Sequence, residues 1–239
     1  MALLGEPIPD YTQNQIKSRQ KIHGKGINPL NPRTNSDLIY LNSRNAWVKF
    51  ASGVTLDPNS PRILQIIEKI NSFSSDLSIP TGINTAKNFI LFNAVSREEG
   101  KGESLDNFTY GVGYSKSLFS QTAYGFLSSN SSFGPTPPPG IVDLNVKALN
   151  RGSIKKSTLR IKAYNSLQFD IIDILYLRLG YTMMLEWGDS HYLNGDKVET
   201  VKNTLIEDEF FNTNNESYPY WLKKIDEYRE KYEGCYDGF

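Results

Sequence analysis

Disulfide chemistry is the first thing the sequence excludes. The 239-residue chain has one cysteine, Cys235, so it forms no internal disulfide and offers no cysteine-based zinc site. Histidine is almost as scarce: His23 and His191 are the whole supply, which makes a metal centre or bound cofactor an unpromising expectation. No stretch approaches the roughly 20 apolar residues of a membrane-spanning helix. The opening MALLGEPIPDY has no charged leading region and too short an apolar run for a secretory signal, which points to folding in a cytoplasm. Net charge is missing as well. The 26 Lys+Arg balance 26 Asp+Glu, so bulk electrostatics gives no pull toward nucleic acid or an anionic membrane.

What is present is an ordinary soluble composition, 38% hydrophobic and 22% charged, in a chain long enough for one large core or two small ones. The charge is uneven. Residues 1–49 carry seven Lys/Arg against three Asp/Glu, and residues 189–239 carry six against twelve. A basic start and an acidic end could pair between subunits, or both could be solvated surface.

The densest local signals lie in Gly140–Ser190. Val142, Leu144, Val146 and Ala148 alternate with Asp143, Asn145 and Lys147, the period of a half-buried strand. Asn150-Arg151-Gly152-Ser153 supplies a turn, and Leu159, Ile161 and Ala163 alternate with Arg160 and Lys162 in a second strand. The two predict an antiparallel pair with one oily and one cationic face. Asn165 or Ser166 then caps a helix whose Leu167, Ile171, Ile174, Leu175 and Arg178 share a face; Phe169, Ile172, Tyr176 and Leu177 make the other faces apolar too. Gly180 ends it, YTMMLEW reads as a strand, and Gly188-Asp189-Ser190 as a turn.

Around this unit the signals thin out. Residues 1–36 form an arm, broken by Pro7, Pro9, Pro29 and Pro32 and sparse in apolar anchors such as Tyr11; a short helix over Tyr11–Gln20 fits, and the arm is either a flexible terminus or ordered by lying along a partner. Leu38–Leu56 reads as two strands around Asn42–Asn45, with Ala46, Val48 and Phe50 on one face and Trp47 and Lys49 on the other. Pro61–Ser74 reads as a helix and Asn88–Val95 as a buried strand. Phe108–Gly140 is rich in Gly, Ser and aromatics, and Tyr110, Tyr114 and Phe126 are candidates for an interface. Asp196–Phe211 and Tyr218–Glu233 read as helices, with Glu227 and Lys231 as an i,i+4 pair.

Candidate chemistry is thin. Glu186-Trp187-Gly188-Asp189-Ser190-His191 gathers the residue types of a catalytic triad, but it has no GxSxG elbow, and neighbours on a strand point to opposite faces. Gly100 and Gly102 lack the rest of a phosphate-binding motif. Glu98-Glu99 and Glu207-Asp208-Glu209 lie in polar, solvated stretches. Glu186 beside Trp187, at the end of an apolar strand, wants a partner, and Arg178 is the candidate; such a pair would fix a helix–strand angle rather than turn over a substrate.

Three fragments carry a resemblance. They are Tyr40–Val54 (YLNSRNAWVKFASGV), Pro138–Ser190 (PPGIVDLNVKALNRGSIKKSTLRIKAY, then LQFDIIDILYLRLGYTMMLEWGDS) and Ile225–Phe239 (IDEYREKYEGCYDGF), together a little over a third of the chain. In this order they resemble structural proteins of tailed bacteriophages, of the baseplate or tail-hub type. Departures from that pattern are Asp189 where an aromatic is expected, Leu179 for proline and Cys235 for asparagine, and the pattern leads past YDGF into a further strand. The resemblance implies a virion structural protein with no enzymatic activity. It implies a homo-oligomer, a trimer by analogy with hub subunits, that joins other tail proteins through a barrel-like β layer.

The resulting expectation is an α+β protein. It has an extended N-terminal arm (1–36), a β-rich, barrel-like, hub-type core with one central helix (37–190) and a helical C-terminal segment (191–239). Tyr11, Trp47, Tyr110, Tyr114, Phe126, Arg178, Glu186 and Trp187 are its structural or interface residues. Two alternatives stay open. One is a tail-associated cell-wall or glycan hydrolase. The other is a DNA-contacting connector using Lys147, Lys155, Lys156, Arg160 and Lys162.

Overall fold

The computed structural model describes residue 13 and residues 32–54, 61, 89–93, 95–97, 108–110, 139–149, 154–191, 193–194, 197–198, 204–211, 217–231 and 235–239. In chain order the elements are α1 (Asn35–Asn42), β1 (Arg44–Ser52), β2 (Leu91–Asn93), β3 (Val95–Arg97), β4 (Phe108–Tyr110), β5 (Gly140–Leu149), β6 (Ile154–Lys162), α2 (Ser166–Tyr176), β7 (Met183–His191), β8 (Leu193–Asn194), β9 (Lys197–Val198), a π-helical turn (Ile206–Phe210), α3 (Tyr218–Lys231) and β10 (Cys235–Gly238).

The first element corrects the sequence reading. Residues 38–42 are helical because Thr34 builds a capping box. Its hydroxyl accepts the Asp37 N–H at 3.2 Å, and the Asp37 carboxylate accepts the Thr34 N–H at 2.8 Å. The cap fixes a helix before the apolar residues can run on as a strand, and the strand begins only at Arg44. The arm expected over 1–36 therefore contributes its last residues to α1. Of the rest, residues 32–34 and a helical Gln13 are described; the others, Tyr11 and most of the Tyr11–Gln20 helix included, lie outside the described residues. The helix expected over Pro61–Ser74 and the glycine-bearing stretch at Gly100 and Gly102 also fall outside them, apart from a helical Pro61.

β1 and β7 form the spine of the molecule, an antiparallel pair in register from Arg44↔His191 to Ser52↔Met183. β2 adds to the free side of β1 and β10 to the free side of β7, giving the order β10-β7-β1-β2. Gly188-Asp189-Ser190 is thus a paired part of β7 and not a turn. Gly188 allows this by its size: a Cβ there would overlap the Cys235 carbonyl of β10 and crowd Trp47, the residue opposite it on β1. The segment after His191 is also less helical than its periodicity predicts. Val198 lies in a small hairpin, β8 with β9, and the helical stretch is the short π-helical turn over Ile206–Phe210. The Gly195-Asp196 pair between β8 and β9 is a two-residue hairpin signal that outweighs the helical spacing of Val198. α3 forms as expected, but the Glu227 carboxylate pairs with Lys224 at 3.2 Å.

The sheet is covered on both faces. On one, Trp47, Lys49, Phe92, Glu186 and Tyr236 lie under the π-helical turn and α3; Ile206 N–H reaches Glu186, and Tyr228 packs on Tyr236 with ring centroids 5.9 Å apart. On the other lie the β5–β6 hairpin and α2. Asn93 of β2 donates to the Ile141 carbonyl at 2.7 Å, and the Tyr176 hydroxyl reaches the carbonyls of Phe50 and Phe89. Towards its tip the hairpin's Lys155 reaches Asp237 of β10. The hairpin therefore runs across the sheet from the β2 edge to the β10 edge.

The hairpin pairs as the alternation predicts, with one shift. A bulge between Ile141 and Asp143 inserts Val142, so Ile141, Leu144 and Val146 turn inward and Val142 is left exposed. Ala148 keeps the inward phase of Leu144 and Val146 but is exposed, near the tip of the hairpin. α2 is capped by Asn165, whose side chain accepts the Gln168 N–H at 2.8 Å, and Gly180 follows it at φ 87°. Its apolar surround is narrower than expected, since Phe169 and Leu177 are exposed.

The architecture is α+β. A barrel-like closure is not what the described strands form: the four-stranded sheet is open, and the other sheets are two-stranded. Its edge strands, β2 and β10, have three and four residues, too short to meet and close. No described helix is long and apolar enough to cross a membrane.

Candidate functional site

The polar residues of this molecule that stand out are inside it. Lys49 and Glu186 face each other across β1 and β7, and both are 0% exposed. Lys49 Nζ donates to Thr204 Oγ1 at 3.2 Å, just before the π-helical turn, and lies over the rings of Phe92 and Trp47 at 5.3 and 6.0 Å. Glu186 accepts the Ile206 N–H at 3.2 Å on one oxygen and the Tyr236 hydroxyl on the other. Burial pushes the Glu186 carboxyl above its usual range, while Tyr236, Lys49, Ile206 and Thr204 pull the other way. Burial and the neighbouring Glu186 push the Tyr236 phenol well up. The cluster ties four parts of the chain together: β1, β7, β10 and the turn at 204–206.

A second polar cluster sits at the sheet edge. Asp237 of β10 takes Arg229 from α3, Lys155 from the hairpin at 3.7 Å, and its neighbour's N–H, Gly238, at 2.8 Å. Arg229 also pairs with Asp226. Lys155 lies 5.7 Å from the Trp187 ring and 5.4 Å from that of Phe239, which meet edge to face. Desolvation holds its ammonium below the ordinary lysine value, with Asp237 opposing the shift. Lys155 therefore belongs to the inner face of β6, as its neighbour Lys156 on the outer face requires.

The structure brings Trp47, Glu186 and Trp187 of the sequence candidates into these clusters and leaves Arg178 out. Arg178 follows the end of α2, is exposed, and pairs with Asp173 five residues before it. The expected Arg178–Glu186 pair does not form, because Glu186 points to the face of the sheet under the π-helical turn, while α2 packs on the opposite face. Tyr110 lies in β4, paired with Val95, and Tyr114 and Phe126 lie outside the described residues. Sequence reasoning missed Lys49, Thr204, Tyr236, Arg229 and Asp237. A lysine flanked by Trp47-Val48 and Phe50-Ala51 was a legible sign for the first, since a cation in such a run needs a buried acceptor.

Chemically these are clamps. Every oxygen of Glu186 is engaged by a protein donor, and the clusters are covered on both sides of the sheet. Among the described residues no group of three or more His, Cys, Asp or Glu is placed to hold a metal ion. No family model, curated protein or solved structure matches the chain.

Proposed function

We propose that the protein is a non-enzymatic structural subunit of a bacteriophage tail, a baseplate or tail-hub component that joins other tail proteins in the virion. The reading rests on the three resembling fragments. One observation adds to it: fragments separated by 83 and 34 residues supply β1, then β5 to β7 with α2, then the end of α3 with β10. They meet as three adjacent strands and the layer over them, so the resemblance covers one contiguous body. The two buried clusters lie at its seams and act as ties between layers. Glu186 and Asp237 are committed to internal donors, so neither is a carboxylate of the kind that the hydrolase alternative requires.

The test is assembly. Deleting residues 2–31 stops short of the Thr34 cap. It is expected to leave a folded protein that no longer enters particles, while the full chain forms a defined oligomer, a trimer on this reading, by light scattering. Normal incorporation of the truncated chain into particles would remove the arm from the proposal. A full-length chain that is a compact monomer and enters no tail particle would remove the proposal itself.

A further inference from the structure

The two faces of the β5–β6 hairpin treat cations differently. On the inner face, Lys155 finds Asp237 and two aromatic rings. On the outer face, Lys147, Lys156, Arg160 and Lys162 accompany a single carboxylate, Asp143. Lys147 and Lys156 stand directly opposite each other in the ladder, and like charges so placed destabilise a strand pair. No carboxylate lies within ion-pair distance of Lys147, Lys156 or Arg160 among the described residues. Aliphatic side chains are interspersed with them: Val142 is 54% exposed, Leu149 43% and Ile154 56%. Lys162 lies 4.7 Å over the exposed ring of Tyr164, which closes this face at its base.

We infer that this outer face docks an acidic protein surface in which carboxylates alternate with apolar side chains. The inference rests on the proposed assembly role and names the chemistry of one partner. Carboxylates on the partner would neutralise the opposed lysines, whose repulsion persists in the free chain. Phosphate backbones would do that too, but they would leave Val142, Leu149 and Ile154 without apolar contact; the exposed aliphatics favour protein. A face whose cations served only solubility would gain nothing from setting two lysines opposite each other.

The test uses the full chain, with fluorescence anisotropy against three labelled probes: a peptide alternating glutamate with valine, poly-L-glutamate and a 20-base-pair DNA duplex. The alternating peptide is expected to bind tightest and to lose affinity with added salt. Lys147→Glu places a carboxylate opposite Lys156. It is expected to raise Tm by about 1–2 °C while weakening the peptide about tenfold. Lys156→Glu should do the same from the other strand. That paired outcome, a firmer fold with a weaker grip, supports the docking surface. Peptide binding unchanged within about twofold in both variants, with Tm showing them folded, would overturn it. Duplex binding as tight as the peptide's would also overturn it, in favour of a nucleic-acid surface. Neither result bears on particle entry, which the arm deletion reads separately.

Discussion

Glu186 sits in the middle of the sheet and Asp237 on its edge strand, and the two carboxylates point to opposite faces. Each is buried and each meets a lysine. Glu186 is reached by neutral donors, the Tyr236 hydroxyl and the Ile206 N–H, and its cation, Lys49, is anchored on Thr204. Asp237 is clamped directly by two cations from two different layers, Arg229 of α3 and Lys155 of the hairpin. A carboxylate in mid-sheet loses its water on all sides and is stabilised by fixed dipoles. One at the edge can gather long cationic side chains that arrive from neighbouring elements. The first specifies which turn lies on the sheet; the second ties the outer layers to each other.

The largest expected effect comes from breaking the central pair on one side only. Lys49→Met leaves Glu186 buried without its cation and should cost about 3–5 kcal/mol in urea unfolding. The double variant Lys49→Met/Glu186→Met should recover most of that, because an apolar pair of similar volume avoids the desolvation of both charges. A double variant as unstable as the single would mean that Glu186 is needed for its hydrogen bonds to Tyr236 and Ile206 and not for balance with Lys49.

The edge cluster should respond less steeply. Asp237→Asn takes the charge from Arg229, leaving it only Asp226, and should cost about 2–3 kcal/mol. Lys155→Met keeps the aliphatic packing on Trp187 and Phe239 and should stay within about 1 kcal/mol of the parent. If Lys155→Met proves as costly as Asp237→Asn, the hairpin and not α3 is the element that needs Asp237.

Titration sharpens the contrast. The folded-state carboxyl of Glu186 is raised above its ordinary value of 4.5, so between that value and the raised one the native state holds the proton better than the unfolded chain does. Stability should therefore fall as pH rises through this window, and the decline should vanish in Lys49→Met/Glu186→Met. Lys155 has the opposite sign. Its value is lowered from 10.5, so its unfavourable contribution at neutral pH should fade as pH climbs from its folded value towards 10.5, and Lys155→Met should remove that rise. Urea midpoints between pH 4 and 11 for the parent and both variants would separate the two.

How much of this was legible in the sequence depended on whether the signal was local. The β5–β6 hairpin, the Asn165 cap, α2 and α3 could be read because alternation, caps and helical spacing act over a few residues. The Thr34–Asp37 box was equally local, and it outweighed the strand-like look of Leu38–Asn42. What could not be read was pairing. Nothing near Gly188 says that β10 will pass close enough to exclude a side chain, since Cys235 is 47 residues away. Nothing near Glu186 says that Thr204 and Tyr236 will close over it. For the same reason the candidate site was half legible: Glu186 and Trp187 were found by their oddity and Trp47 by its place on a strand, and their partners were not.

Arg178 carries the smallest expected effect and tests the geometry most directly. Sequence adjacency makes it the natural partner for Glu186, and a buried Arg–Glu pair broken on one side would cost several kcal/mol. In the structure it is 41% exposed and bound to Asp173, itself 26% exposed, on the surface beyond α2. An exposed pair of this kind is worth about 0–1 kcal/mol, reduced further by salt. Arg178→Ala should therefore shift the urea midpoint little and leave the fall in stability above pH 4.5 as it is in the parent. A loss comparable to that of Lys49→Met, together with a changed pH profile, would show Arg178 reaching Glu186 after all. The sheet face on which Glu186 lies would then have to be reassigned, and with it the role of the π-helical turn that now covers it.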